Sequence, residues 1–247
     1  AAKDKFSSGN YEVVSSACDC KDGFQMAVKN KITNVSNVIK NGTHYVKHIQ
    51  EYKEKVIIIG EIDSNTGVVN ILNKSDLKLI DSFYCFFPKV SQSGRYIVSK
   101  VSYPRYGPET ENDEVFICYD LNKTPKENRL KDFDEKEIKF VGKPIFPEEN
   151  YISQSYLSKN SDNKSPYFLR DEILWPIKKD ICMFLVSNDN DVKLVFCNFK
   201  DETKDDFRTI SFSEKVNKTL KEKEAIELKQ LRIESLKYDE DTGIINI

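Results

Sequence analysis

The chain has 247 residues, with 38 Lys or Arg against 40 Asp or Glu, a formal charge of −2, and 39% hydrophobic and 11% aromatic residues. That length buries a real core, and 28 aromatic rings exclude a disordered chain even though 32% of the residues are charged. Balanced signs remove the electrostatic case for a nucleic-acid or anionic-membrane binder, and a basic set of 32 Lys to 6 Arg suits a solvated surface better than a phosphate grip.

The first residues, Ala1-Ala2-Lys3, lack a Met, as removal of a signal peptide or an artificial start would each leave them. Residues 11–20 and 24–28 are rich in Val, Tyr, Phe and Ser and read as strands. Between them, Cys18-Asp19-Cys20 lacks the second Cys pair of a zinc site, so a structural or disulfide role is expected. Val28, Ile32, Val35 and Ile39 recur at helical spacing and stop at Asn41-Gly42, which predicts a helix. Thr43 is placed to cap a short second helix through Tyr45, Ile49 and Tyr52, with a strand as the alternative. On that helix His44 and His48, the only two histidines, would share a face with Glu51. Two imidazoles and a carboxylate are adequate zinc ligands, but one short helix rarely presents three tetrahedrally. A polar solvent-facing stripe is therefore the expectation.

Further strands are predicted over residues 56–62, 68–72, 96–103, 115–121, 138–141, 181–186, 192–199 and 207–212, and a third short helix over 213–222. The charged segments 122–137 and 148–166 read as long loops. The longest aliphatic run, Val56-Ile57-Ile58-Ile59, is far too short to span a bilayer.

Six cysteines fit an oxidising compartment without forming a disulfide scaffold. If Asp189-Asn190 is a two-residue hairpin loop, facing residues have numbers that add to 379, which sets Cys182 opposite Cys197. A non-hydrogen-bonded pair there is near enough to bridge, whereas two small buried hydrophobes are the alternative.

An internal echo carries the fold reading. Asp63-Ser64-Asn65-Thr66-Gly67-Val68-Val69-Asn70-Ile71 reappears 176 residues later as Asp239-Glu240-Asp241-Thr242-Gly243-Ile244-Ile245-Asn246-Ile247. That offset is four steps of 44, and other turns, at Lys21-Asp22-Gly23 and at residues 107–112, fall near the same period. Recurrence every 40–45 residues or so, with several strands per unit, marks a β-propeller blade. The expected fold is all-β: a single propeller-like domain over residues 1–247 of five or six blades, with a few short helices in the N-terminal third and near 213–222.

Ser91-Gln92-Ser93-Gly94-Arg95-Tyr96-Ile97-Val98 resembles the Ser-Pro-Asp-Gly-Lys-Tyr-Ile-Ala turn and strand of TolB-like β-propeller repeats. Glu114-Val115-Phe116-Ile117-Cys118-Tyr119-Asp120-Leu121-Asn122 resembles their outer strand, which ends Tyr-Asp-Leu. The resemblance covers about one blade, residues 88–122, with Gln92 and Ser93 in place of Pro-Asp. It implies the fold and little about function, because propellers serve enzymes and binding platforms alike.

Reaction signatures are scarce. The nine glycines are never closer than seven residues apart, so the chain has no G-x-G-x-x-G, no P-loop and no G-x-S-x-G elbow, and it also lacks H-E-x-x-H. The Asp-rich turns at 63–67, 189–191 and 239–243 alternate oxygens as calcium loops do, but lack the rest of an EF-hand and are explained by hairpin chemistry. The single Trp175, between Leu174 and Pro176, suits a core better than a sugar cleft.

Tyr103-Pro104-Arg105-Tyr106-Gly107-Pro108 is the candidate binding loop: Tyr103, Arg105 and Tyr106 are hot-spot residue types stiffened by two prolines. An ordinary hairpin loop is the alternative. These features predict a non-catalytic, cofactor-free, secreted or periplasmic protein-binding module. In a more specific form it is an immunity protein or inhibitor that occludes a bacterial toxin or effector enzyme. A hydrolase with a carboxylate or metal site in a propeller channel, and an envelope-assembly scaffold, are the alternatives.

Overall fold

A computed structural model describes residues 3–20, 23–40, 43–62, 66–104, 112–128, 143–144, 151–152, 167–174, 180–187, 192–198, 206–211, 218, 237–239, 242 and 244–246. The described chain is all-β. It divides into two compact units, residues 1–88 with 119–142, and residues 89–118 with 143–247.

The first unit opens with β1 (Lys3–Ser8), β2 (Tyr11–Ala17), β3 (Phe24–Asn30) and β4 (Ser36–Ile39), an antiparallel meander in chain order. It continues with β5 (Tyr45–Tyr52), β6 (Lys55–Glu61), β7 (Gly67–Asn73) and β8 (Leu79–Val90), again consecutive neighbours. Meanders of four strands thus begin at Lys3 and at Tyr45, a step of 42 residues. Their facing sides share one core of Tyr11, Val13, Met26, Val28, Ile39, Val46, Ile49, Val56, Ile58, Leu72 and Leu77. Strand β6 is central and buried from Val56 through Gly60, which is why its sequence is a continuous aliphatic run rather than an alternation.

Both N-terminal helices expected from spacing are strands, for identifiable reasons. In 28–39, the Asn30 carboxamide oxygen accepts from the backbone N–H groups of Ile32 (2.9 Å) and Thr33 (3.2 Å), and Asn34 takes φ 58°. The chain turns there, and Ile32 is left 70% exposed. In 45–52, Val46 faces Gly60 while His48 faces Ile59, so Lys47 is an extra, bulged residue. The bulge lets Val46 and Ile49, three apart, both turn inward, which mimics helical spacing. Of the third predicted helix only Lys218 is described, in a helical conformation.

The turn after β10 (Asn112–Asp120) is closed by Asn128, which accepts from Asp120 N–H (3.0 Å) and donates to the Asp120 (2.9 Å) and Thr124 (3.2 Å) carbonyls. Thr124 and Glu127 form a capping box: Thr124 N–H donates to the Glu127 carboxylate at 2.7 Å, and Glu127 N–H to the Thr124 hydroxyl at 3.3 Å.

In the second unit, β9 (Tyr96–Pro104), the bulk of β10 and β11 (Lys143–Pro144) are consecutive neighbours. Beyond residue 143 the strands are described by backbone pairing. β13 (Tyr167–Leu174), β14 (Ile181–Ser187), β15 (Val192–Asn198) and β16 (Asp206–Ser211) form another antiparallel meander, with β12 (Tyr151–Ile152) parallel beside β13. β17 (Lys237–Asp239) and β18 (Ile244–Asn246) form a hairpin.

Both copies of the internal echo therefore turn a β-hairpin, but not in the same register. Glu61 faces Gly67 in the first. In the second, Asp239 faces Ile244, where strict repetition would have set Lys237 against Gly243.

Candidate functional site

The sequence-predicted site residues separate. His44 stacks on Phe24, ring centroids 4.3 Å apart, and lies against Tyr45 at 4.0 Å. His48 pairs through Nε2 with the Gln50 carboxamide oxygen at 2.9 Å. Glu51 instead accepts from the Tyr11 hydroxyl at 2.8 Å and from the Lys74 ammonium. The helix that would have gathered these three groups is strand β5, and each has a different neighbour. Among the described residues no group of three or more His, Cys, Asp or Glu is placed to hold a metal ion. No helix among them is long and apolar enough to cross a membrane.

The Tyr11–Glu51–Lys74 set is a structural link between β2, β5 and the turn after β7. Lys74 and the Tyr11 hydroxyl hold the Glu51 carboxyl below the usual range, against partial desolvation. Burial first, and then the neighbouring carboxylate, push the Tyr11 hydroxyl well above its ordinary value.

Of the candidate binding loop, Tyr103 lies in β9, described by its backbone, and Arg105 and Tyr106 fall outside the described residues, as does Trp175. Cys182 and Cys197 face each other in the β14–β15 ladder, in the register expected from a two-residue loop. The turn that resembles a propeller repeat is built around Ser93: its hydroxyl donates to the buried Asp180 carboxylate at 2.6 Å and accepts from Arg95 N–H at 3.1 Å. Gly94, at φ 80°, completes the turn. Where the repeat pattern has an Asp, this chain has a Ser that borrows a carboxylate from residue 180.

Sequence reading missed an apolar strip on the first unit. Strand β4 ends its sheet among the described residues. Its Val38 is 50% exposed, and Leu79 and Ile80 at the start of β8 are 41% and 36% exposed. Asn37, Val38, Ile39, Lys40 and Leu79 line an open cleft of about 460 Å³. The cleft is framed by Asn37, whose carboxamide nitrogen donates to the Leu77 carbonyl at 3.0 Å while its oxygen accepts from Val38 N–H at 2.9 Å. That second bond caps a backbone donor on the strand's outer edge, a device that blunts unwanted strand pairing and leaves side chains to do the recognition. The sequence signal was available as two apolar pairs, Val38-Ile39 and Leu79-Ile80, each with one member too many for a one-sided strand.

No family model matches the sequence, and no curated protein matches it. Similar solved structures include a prolyl endopeptidase, at 10% identity over 85% of this chain and 29% of that one, with a TM-score of 0.40. The β-propeller domain of the Trilobed protease from Pyrococcus furiosus is 16% identical over 83% of this chain and 68% of its own, with a TM-score of 0.32. Hsv2 of Kluyveromyces lactis is 11% identical over 85% of this chain and 60% of its own, with a TM-score of 0.38. The chain thus spans less than a third of the endopeptidase and less than two thirds of Hsv2. These are distant likenesses that include a β-propeller domain and do not single out TolB-type proteins. The strand order carries the description of this fold.

Proposed function

We propose that the chain is a β-propeller-like module that works by binding another protein, and that the β4–β8 apolar strip is its contact surface. The observation that carries this reading is the exposure of Val38 and Leu79 on one cleft, beside which the Val38 N–H is already met by the Asn37 carboxamide. Exposed branched side chains grouped on a rigid sheet mark interaction sites, whereas singly scattered ones do not. The partner supplies an apolar segment, with an acidic group to meet Lys40 at the cleft wall.

Four-stranded meanders in sequence, the first two 42 residues apart, support the propeller-like architecture. In its specific form the module is a secreted or periplasmic immunity protein or inhibitor that occludes a toxin or effector enzyme. The balanced charge and the proline-flanked Tyr103, Arg105 and Tyr106, read from sequence, support that form. The experiment is affinity capture from the native host with the parent chain and with Val38→Lys plus Leu79→Lys. A stoichiometric partner retained by the parent and lost by the double variant supports the reading. Equal retention by both, or hydrolytic activity with no partner, overturns it.

A further inference from the structure

The turn between β2 and β3 holds Cys18 and Cys20 joined as a disulfide, with Cα atoms 5.3 Å apart and only Asp19 between them. We propose that this bridge is a thiol–disulfide exchange site for small thiols of the glutathione class, and is no staple of the fold.

Three observations carry the proposal. A disulfide stabilises chiefly by restricting the unfolded chain, and the effect shrinks with the length of loop enclosed. Here the loop is a single residue, so the bridge adds little that the local backbone does not already impose. The hairpin is also closed without it. Ala17 faces Phe24 at the end of a regular ladder, Cys18 N–H donates to the Gly23 carbonyl at 2.9 Å, and Gly23 N–H donates to the Cys20 carbonyl at 2.9 Å. Finally, both sulfur-bearing residues are half-buried at the end of a hairpin and Asp19 is exposed, so an attacking thiolate can reach them. Cys85, by contrast, is buried in β8.

The surroundings also favour the reduced form. The Cys20 sulfur lies 3.2 Å from the Phe24 carbonyl oxygen. In the bridge that sulfur carries no proton to donate; once reduced, its S–H has an acceptor already in place. Bridges that a thiolate can reach and that do not constrain long loops are the reducible, exchanging ones.

The exchange balances as two displacements. A thiolate attacks the Cys18 sulfur, the S–S bond breaks, a mixed disulfide forms on Cys18, and Cys20 leaves as a thiolate that takes a proton from solvent and donates to Phe24. A second thiolate attacks the sulfur of the small thiol in the mixed disulfide. Cys18 leaves as a thiolate that is protonated in turn, and the two small thiols depart as their own disulfide. Two electrons pass from the thiols to the bridge.

The test equilibrates the full chain in reduced and oxidised glutathione at a series of ratios, quenches with acid, alkylates, and reads residues 18–20 by peptide mass spectrometry. Peptide resolution keeps Cys182 and Cys197 separate. The expected result is reversible half-reduction within the range of cellular glutathione poise, with the Cys18→Ala plus Cys20→Ala variant melting within about 3 °C of the parent. A pair that stays bridged across that range overturns the proposal. So does a double variant whose melting falls further than that, because the bridge is then structural. Alkylation of both cysteines in air-kept protein without reductant overturns it as well, because no bridge has formed.

Discussion

Asn37 donates from its carboxamide to the backbone carbonyl of Leu77 at 3.0 Å, tying the last strand of one meander to the turn that starts the final strand of the next. Leu77 pays for its place with a left-handed backbone, φ 57°, and is fully buried in the shared core. The Asn37 contact adds to the Leu77 N–H to Asn73 carbonyl bond (2.8 Å) in holding the turn that buries the Leu77 side chain. Removing it leaves a carbonyl and the Val38 N–H without these partners. Asn37→Ala is expected to cost about 1 kcal/mol in urea unfolding. Asn37→Asp should cost at least as much, because it keeps the acceptor for Val38 but sets a carboxylate against the Leu77 carbonyl.

Gly60, the last buried residue of β6, is a glycine because a β-carbon there would run into the Thr43 side chain and the Tyr45 carbonyl. Gly60→Ala should destabilise by about 1–3 kcal/mol through overpacking. Adding Thr43→Ser removes the Thr43 methyl but leaves its Cβ, which would lie 2.9 Å from the new carbon, and the Tyr45 carbonyl. Thermal unfolding should therefore show a partial recovery in the double variant, and full recovery would contradict the packing described.

The Glu51 carboxyl is held below its ordinary range by Lys74 and Tyr11, so its ionised form favours the folded state. In the window between the depressed folded value and the unfolded value, about 4.3, the unfolded chain binds more protons, and stability rises with pH. The contribution is complete at neutral pH and is lost as pH falls through the folded value. Urea midpoints measured from pH 7 down to pH 3 should drop more steeply for the parent than for Glu51→Gln. Parallel curves would show that the Glu51 interactions add nothing to stability.

Cys182 faces Cys197 in the β14–β15 ladder, and peptide mapping without reductant is expected to recover them as one bridged pair. Closing a loop of that length should contribute about 3 kcal/mol, so Cys182→Ala plus Cys197→Ala should unfold at clearly lower denaturant. Thiol labelling of both residues in the native, unreduced protein would contradict the bridge.

The elements that sequence made legible are those where period and turn chemistry agree. The β14–β15 register followed from one assumed loop, and β6 and β7 followed from aliphatic runs broken by Asp and Gly. What misled was apolar spacing of three or four produced by other means. An Asn30 turn places Val28 and Ile39 on different strands of one core, and a bulge at Lys47 turns Val46 and Ile49 to the same side. Neither device leaves a local signal distinct from a helix, because both depend on what the neighbouring strand does. The metal candidates dissolved with the helix that would have grouped them. The two apolar pairs were visible but their meeting was not, for a similar reason: Val38 and Leu79 are 41 residues apart and come together only where β4 and the start of β8 line one cleft. Strand β8 escaped prediction although Asp81, Phe83 and Cys85 alternate inward, since a buried Asp at 8% exposure spoils the apolar pattern. Tyr119 supplies the reason it is tolerated, donating its hydroxyl to that carboxylate at 2.8 Å.

Binding through the β4–β8 strip is tested most simply by the affinity of the captured partner for the parent chain and for Val38→Lys plus Leu79→Lys, alongside urea unfolding of both. Both side chains are substantially exposed, so the substitutions should move stability by no more than about 0.5 kcal/mol. Affinity is expected to fall at least tenfold while the unfolding midpoint stays put. Unchanged affinity in a folded double variant would contradict binding through the strip.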